Sequence, residues 1–319
     1  MNFVFLMDPL ETVIPDKDTS FILMLGAHRR GHSVYFVGDG GITLHNGEFH
    51  FQTLKVIPEQ NPKNPFTQRT PHKLTDKDID CIFIRSDPPF DSQYLLNTWL
   101  LDRLPGRIPV INSPAGIRTA NEKIWATQFQ GIVPRTMIGR NRPELLDFFL
   151  LEKNIIVKPT DGFGGSSVFH INLLDKNAKV VLETMTHNWT KDVILQHYIP
   201  ESQDGDKRIL LLNGEPLGAV LRVHAPDDHR NNFFAGGKPM ATEVNARDQE
   251  IINILKPELQ RLGLYFTGID IIGGYLIEVN ITSPTGIQEM NRLDDQHLEE
   301  KVIEFAEGLI KQSQSTSKM

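Results

Sequence analysis

Residues 156–167 read IVKPTDGFGGSS and run from an apolar strand into a glycine-rich loop. Backbone N–H groups freed by Gly162, Gly164 and Gly165 are able to cradle anionic oxygens, and Lys158 to neutralise them. The order differs from the P-loop G-x-x-x-x-G-K-[ST], because here the lysine precedes the glycines. A glycine-rich hairpin turn that binds nothing has the same composition, so this loop needs other residues beside it before it defines a site.

Those residues lie toward the C-terminus. Asp270, Glu278 and Asn280 are acidic or amide residues within FTGIDIIGGYLIEVN, a hairpin otherwise built from Ile, Leu and Val. Glu278 and Asn280 are two apart and share one strand face. A buried carboxylate is costly unless paired or bound to a cation, and hard oxygens at this spacing suit magnesium carrying a nucleotide phosphate. A satisfied polar pair on a solvated sheet face is the plainer alternative. Gly273-Gly274 suggests a two-residue turn, which would pair Asp270 with Ile277 and turn it away from Glu278. Because a buried aspartate with no cation or donor is expensive, the expectation is an odd-numbered connection, such as a three-residue loop with a glycine bulge, that restores Asp270 to the face of Glu278. Lys207, Arg208 and Arg222 follow the DGD loop and Arg230 lies in HRNNFFAGG. Singly each is a solvated charge. With Lys158 and the carboxylates they read as an arrangement for phosphate transfer.

Working outward, NFVFLMD, HSVYFVG and IDCIFIR read as buried strands, and DTSFILMLGAHRRG as a helix capped near Asp18 and closed by Gly31. GITLHNGEFHFQTLKVI reads as a hairpin around Asn46-Gly47, and residues 58–72, with four prolines, as an irregular loop. The alternation implies an open α/β sheet whose ligands sit beyond the carboxyl ends of the strands, where Asp8 and Arg85 fall. RTANEKIWATQFQG, which holds Lys123, reads as a helix. IIVKPT, SSVFHIN and VILQHYI read as strands, KRILLLNGEPLGAVLRV as a hairpin, and ARDQEIINILKPELQRLGL as a helix. The polar tail, residues 312–319, is expected to be disordered.

Composition bounds the class. With 319 residues, 39% hydrophobic and 23% charged, this is an ordinary globular chain with room for two or three subdomains. A formal charge of -7 leaves no basic footprint for nucleic acid. The single cysteine, Cys81, lies in an apolar run and reads as a small buried hydrophobe, consistent with a reducing cytoplasm. The apolar N-terminus lacks a basic region and meets Asp8-Pro9 too early for a secretion signal, and no apolar run approaches a membrane span. The expected location is cytoplasmic, without a membrane partner.

The combination of a strand lysine before a glycine loop, the strand LQHYI, a basic strand pair and E-V-N resembles the ATP-grasp ligases. Over roughly residues 1–310 the chain resembles the bacterial glutathione synthetases. The resemblance rests on MDPLETVIPDKDTSF, RSDPPFD, NEK, KPTDGFGG, DGDKR, NGEP, AGG, GIDIIG and EVNITSPTGI, in that order. It departs from the family at Ser86 and in HRNN. The resemblance implies an ATP-grasp fold of α/β and α+β character preceded by an N-terminal open α/β domain. The divisions are residues 1–118 on the substrate side, 119–199 as the central lid subdomain and 200–311 as the C-terminal subdomain with the metal site. It implies ATP as co-substrate, magnesium (with manganese as an alternative), and γ-glutamylcysteine and glycine as substrates of a homo-oligomer, expected to be a tetramer. Lys123 and Lys158 are then expected on the ATP phosphates under a flap of Gly162, Gly164 and Gly165. Gln196, His197, Tyr198 and Ile199 would line the adenine pocket, with Asp206 near the ribose. Asp270, Glu278 and Asn280 would hold the metal, and Arg208 and Arg222 would stabilise the transferred phosphoryl group. Arg85, Ser283 and Thr285 would touch the peptide substrate, and a lid would span about Val223 to Gly237.

Two other readings share part of this pattern. Another carboxylate–amine ligase, such as a D-alanine–D-alanine or glutamate-adding ligase, would share the ATP half, but MDPLETV and RSDPPFD in the acceptor-selecting domain argue against it. A synapsin-like protein that binds ATP without catalysis is disfavoured by intact Lys158, Arg222, Glu278 and Asn280.

Overall fold

The structure, a computed structural model, describes residues 1–162, 164–224, 231 and 236–316. Most of the expected lid, Arg230 included, lies outside the described residues.

The N-terminal apolar runs form a seven-stranded sheet. Its strands are β1 (Asn2–Leu6), β2 (Ser33–Val37), β3 (Ile42–His45), β4 (Glu48–Pro58), β5 (Phe66–Thr75), β6 (Cys81–Ile84) and β7 (Val110–Ile111). Their order is β3-β4-β2-β1-β6-β7, with β5 on β4. β1, β2, β6 and β7 pair in parallel, and β6 is buried throughout, as a strand covered on both faces must be. Helix α1 (Thr19–Arg29) is capped by Asp18, which accepts from Phe21 N, and is buried from Thr19 to Ala27. Helices α2 (Ser92–Leu101) and α3 (Pro114–Thr119) follow β6 and β7. The carboxyl ends of β1 and β6 lie together: Arg85 N donates to Leu6 O at 2.7 Å, and Asp87 N to Asp8 Oδ2 at 2.8 Å.

Two expectations fail here. The segment expected as a loop contains β5, which pairs along β4 from Phe66 to Thr75. Residues 67–73 are all exposed, so no alternation of burial betrays the strand, and as an edge strand it tolerates Pro71. The helix expected over RTANEKIWATQFQG stops at Ala120 and resumes only as a short turn over Trp125–Gln128. Asn121 Oδ1 accepts from Lys123 N and Ile124 N, offering the backbone an alternative to the helix. Glu122 is held against the other end of the chain, its carbonyl accepting from Val279 N.

The rest of the chain forms two antiparallel sheets. β8 (Thr136–Gly139), β9 (Asn154–Pro159), β10 (Phe169–Asn172) and β11 (Val193–His197) take the order β10-β9-β11-β8. With α4 (Arg142–Glu152) and α5 (Ala178–Met185) they enclose a separate core around Leu145, Phe149, Val157, Leu182 and Leu195. β12 (Asp206–Leu212), β13 (Glu215–Val223), β14 (Lys238–Ala241), β15 (Phe266–Ile272) and β16 (Tyr275–Asn280) take the order β14-β13-β12-β15-β16, with α6 (Ala246–Arg261), α7 (Ile287–Asp294) and α8 (Leu298–Thr316). This last unit shares its core with the N-terminal sheet: Val4, Leu6 and Ile84 belong to one buried cluster with Ile209, Ile269 and Val279. Buried Asn112 ties the two together, donating to Phe266 O and Ile281 O and accepting from Phe266 N, each at 2.7 Å. The tail expected to be disordered continues α8 as far as Thr316, and residues 317–319 lie outside the described residues. Among the described residues no helix is long and apolar enough to cross a membrane.

Candidate active site

Where the four-stranded sheet faces the five-stranded one there is a cavity of about 250 Å³. Every site residue expected from the sequence lines it except Arg85.

Lys158 reaches it from the end of β9. The antiparallel pairing of β9 with β11 sets Lys158 opposite Ile194, and its Nζ donates to Gln196 Oε1 at 3.0 Å. Burial, with Lys123 nearby, pushes its ammonium down to about 8 against the pull of Glu278 and Asp270. The glycine loop begins directly beyond. Gly164 (φ 62°) and Gly165 (φ 71°) are consecutive residues of positive φ, a conformation that is costly for any residue with a Cβ. Lys123, on the turn that replaced the expected helix, donates to Gly162 O and, at 2.8 Å, to Glu278 Oε1. Burial works against its charge, but Glu278 and Glu122 hold its pKa above the usual lysine value.

The residues expected to line the adenine pocket leave β11 in sequence. His197 Nδ1 lies 2.7 Å from Glu152 Oε2, which also meets Arg135. Tyr198 stacks on His170 with ring centroids 3.9 Å apart and 14° between planes.

Across the cavity, Asp206, Arg208, Arg222 and Asp270 interlock. Arg208 Nη2 donates to Asp270 Oδ2 at 2.9 Å. Arg222 donates to both oxygens of Asp206 at 2.6 and 2.8 Å and lies 3.0 Å from Asp270. Burial would raise the Asp270 carboxyl, but the two guanidiniums hold it well below the usual carboxylate range. The Asp206 carboxyl is raised by burial, with Arg222 opposing and Asp270 reinforcing.

Asp270 does face Glu278, though by a different route from the one expected. The turn is the two-residue Gly273-Gly274 and Ile272 pairs with Tyr275, so the connection is even. A bulge at Ile277 then shifts the register, so that Asp270 pairs with Glu278 and Gly268 with Asn280. The correction therefore lies in the strand, where one extra residue reverses the faces as an odd loop would.

Among the described residues no three His, Cys, Asp or Glu side chains form a metal cluster. Asp270, Glu278 and Asn280 nonetheless offer two carboxylates and an amide oxygen to the cavity, which Lys123 and Lys158 also line. That hard-oxygen set fits a divalent cation whose remaining positions are filled by water and phosphate oxygens.

Ser283 Oγ donates to Asp87 Oδ1 and Thr285 O accepts from Arg208 Nη1, which fixes the loop after β16 against both domains. Arg85 is buried behind this loop, donating to Ser20 Oγ and Pro284 O. Sequence reasoning missed Glu122 and Asp87, which also line the cavity. Glu122 Oε1 accepts from Ile281 N, Thr282 N and Thr282 Oγ1, and burial beside Glu278 raises its carboxyl pKa. The signal lay in NEK and RSDPPFD, where each acid stands within two residues of a lysine or arginine.

An antiparallel four-stranded sheet facing a second antiparallel sheet, with lysines, arginines and oxygen donors lining the cavity between them, is the ATP-grasp arrangement of carbon–nitrogen ligases. Models of the prokaryotic glutathione synthetase N-terminal domain and ATP-grasp domain match residues 1–118 and 122–295. The chain is 42% identical over 313 residues to the glutathione synthetase of Gloeobacter violaceus, covering 96% of each chain. It is 39% identical to that of Synechococcus elongatus, covering 98% of this chain and 100% of the relative. The chain belongs to the prokaryotic glutathione synthetase family. In fold it is similar to the D-cycloserine synthetase DcsG (TM-score 0.66, 15% identity, covering 98% of this chain and 99% of that one). It is likewise similar to the ATP-grasp ligase PsnB (TM-score 0.64, 16% identity, covering 97% and 98%).

Proposed function

We propose that the protein joins γ-glutamylcysteine to glycine at the expense of ATP. The cysteinyl carboxylate attacks the γ-phosphorus, giving an acyl phosphate and ADP. The glycine amine then attacks the acyl carbon, and phosphate leaves to give glutathione. The observation that carries this reading is the cavity in which Lys123, Lys158, Arg208 and Arg222 meet Asp270, Glu278 and Asn280, in a chain of this family.

Phosphoryl transfer needs charge neutralisation and in-line positioning more than covalent help. Lys158 and Lys123 take the nucleotide phosphates, beneath the N–H groups around Gly162, Gly164 and Gly165. Gln196, His197, Tyr198 and Ile199 hold the adenine and Asp206 the ribose side. Arg208 and Arg222 stand where negative charge develops on the transferred group and on the tetrahedral intermediate. Ser283 and Thr285 hold the acceptor. Asp270, Glu278 and Asn280 would hold magnesium, or manganese, which when bound supplies further neutralisation of phosphate charge. Before ligands arrive, the cations and carboxylates of this site neutralise one another, as the Lys123–Glu278 and Arg208–Asp270 pairs show. Binding therefore exchanges internal partners for phosphate and metal.

Residues 1–118 serve as the substrate-side domain, 119–199 as the central subdomain and 200–311 as the metal-side subdomain. A cytoplasmic homotetramer is the proposed assembly, tested by light scattering of the purified protein. The function is tested by phosphate release from ATP with γ-glutamylcysteine and glycine, compared with other amino-acid pairs. Faster release with D-alanine alone, or none with any pair, would reject it.

A further inference from the structure

Glu278 and Asn280 stand on the least supported strand of their sheet. β16 is outermost among the five strands and pairs with β15 along one edge only. That pairing is interrupted by the bulge at Ile277 and ends where Asn280 meets Gly268. A bulge leaves a residue unpaired and bends its strand, and an outer edge leaves a row of N–H groups in want of acceptors. Side chains on such a strand keep a fixed direction only if the free edge is held as well.

Glu122 holds it. Its carbonyl accepts from Val279 N at 3.0 Å, and its Oε1 accepts from Ile281 N at 2.9 Å, Thr282 N at 3.1 Å and Thr282 Oγ1 at 2.9 Å. Residues 279 and 281 are two apart, so their N–H groups share one edge of the strand, and Asn280 lies between them. One residue therefore takes the place of a missing neighbour strand, its main chain on one side of Asn280 and its side chain on the other. Lys123, next in the chain, reaches Glu278 Oε1 at 2.8 Å. Asn280 itself lines the cavity, where its Nδ2 donates to Gly268 O at 3.3 Å and Asp270 Oδ2 at 3.4 Å, and its Oδ1 is the atom suited to a cation. A clasp that served the fold alone would sit anywhere along the strand, whereas this one closes on both sides of a proposed metal ligand.

We propose that Glu122 is a positioning residue for the metal, fixing the end of β16 so that Glu278 and Asn280 stay aligned with Asp270. This rests on the reading given under Proposed function, in which those three residues hold the cation. The role belongs to the reach of the side chain rather than to its charge, since Oε1 acts by accepting from three donors of the strand end.

Two substitutions in the full chain separate reach from charge. Glu122→Asp keeps the carboxylate and withdraws it by one methylene, whereas Glu122→Gln keeps an accepting oxygen at the same reach and removes the charge. Manganese affinity, read by electron paramagnetic resonance with ADP present, is expected to fall about 10- to 100-fold in Glu122→Asp, the scale for losing a group that orients metal ligands. In Glu122→Gln it should stay within about fivefold of wild type, as for loss of one neutral hydrogen bond. ADP affinity in EDTA, measured by calorimetry, should be unchanged in both. Undiminished manganese affinity in Glu122→Asp overturns the proposal. A loss in Glu122→Gln as large as that in Glu122→Asp also overturns it, because charge or direct ligation would then be the cause. An equal loss of metal-free ADP binding does the same, because it marks damage to the whole site. Wild-type protein that takes up no manganese with ADP rejects the metal assignment and this proposal together. Wild-type protein that binds manganese yet releases no phosphate with γ-glutamylcysteine and glycine rejects the functional reading alone.

Discussion

Replacing Glu278 by Gln keeps the shape of the side chain and removes its charge. Glu278 Oε1 lies 2.8 Å from Lys123 Nζ, with side-chain exposures of 21% and 9%. At an effective dielectric of about 20 that pair attracts by roughly 6 kcal/mol before desolvation is counted. Much of this is offset by burial, and Lys123 keeps Glu122 and Asp270 as neighbouring charges. The net cost to stability should therefore be about 1–2 kcal/mol, between an exposed pair and a fully buried one. The cost to catalysis should be far larger, because the carboxylate proposed to hold the metal becomes a neutral amide. A fall in kcat of about 10²- to 10³-fold is expected, the scale seen when one preorganised electrostatic contact to a transition state is lost. Phosphate release measured across a magnesium titration should show both the lower ceiling and a higher half-saturating metal concentration. Urea unfolding followed by circular dichroism should show a modest midpoint shift. Near wild-type turnover with an unchanged magnesium dependence would refute the metal assignment. A collapse of stability far beyond 2 kcal/mol would instead show that the ion pair is chiefly structural.

Lys158, depressed from 10.5 to about 8 by burial, gives a pH prediction. Below pH 8 both folded and unfolded chains carry the proton, so the burial penalty, roughly 3 kcal/mol, is present in full. Between pH 8 and 10.5 the unfolded chain binds more protons, so the stability of the ligand-free protein should rise through that window. In Lys158→Met that rise should disappear. ATP affinity should move the opposite way, falling above pH 8 as the ammonium is lost, and calorimetry in buffers of different ionisation enthalpy should detect proton uptake on binding near pH 8.5. Asn112→Ala leaves Phe266 N and the carbonyls of Phe266 and Ile281 without their buried partner, which should cost about 3 kcal/mol in urea unfolding. An unchanged midpoint would mean that water replaces the side chain. Arg222→Lys cannot span Asp206 and Asp270 with one fork, so turnover should fall sharply and stability by about 3 kcal/mol. Activity equal to wild type would show that charge alone suffices there.

Much of the molecule is written in short stretches of the chain. Continuous apolar runs mark the buried strands β1 and β6, Asp18 marks the start of α1, and Asn46-Gly47, Asn213-Gly214 and Gly273-Gly274 mark turns that only residues tolerant of positive φ adopt readily. The site residues were legible for a similar reason. A lysine before three glycines and an E-V-N on an apolar strand are local departures from the composition around them. What the sequence alone did not reveal depends on partners far along the chain. β5 exists because β4 offers a free edge, so its backbone pairs while its side chains stay in water and leave no pattern of burial. The helix after α3 breaks because Glu122 is drawn to Ile281 and Thr282, some 160 residues away. The bulge at Ile277 depends on where β15 and β16 settle against each other, which the turn between them does not dictate. Periodicity and turn chemistry act within a few residues, whereas hydrogen-bond and charge satisfaction is settled between segments that meet only in the folded chain.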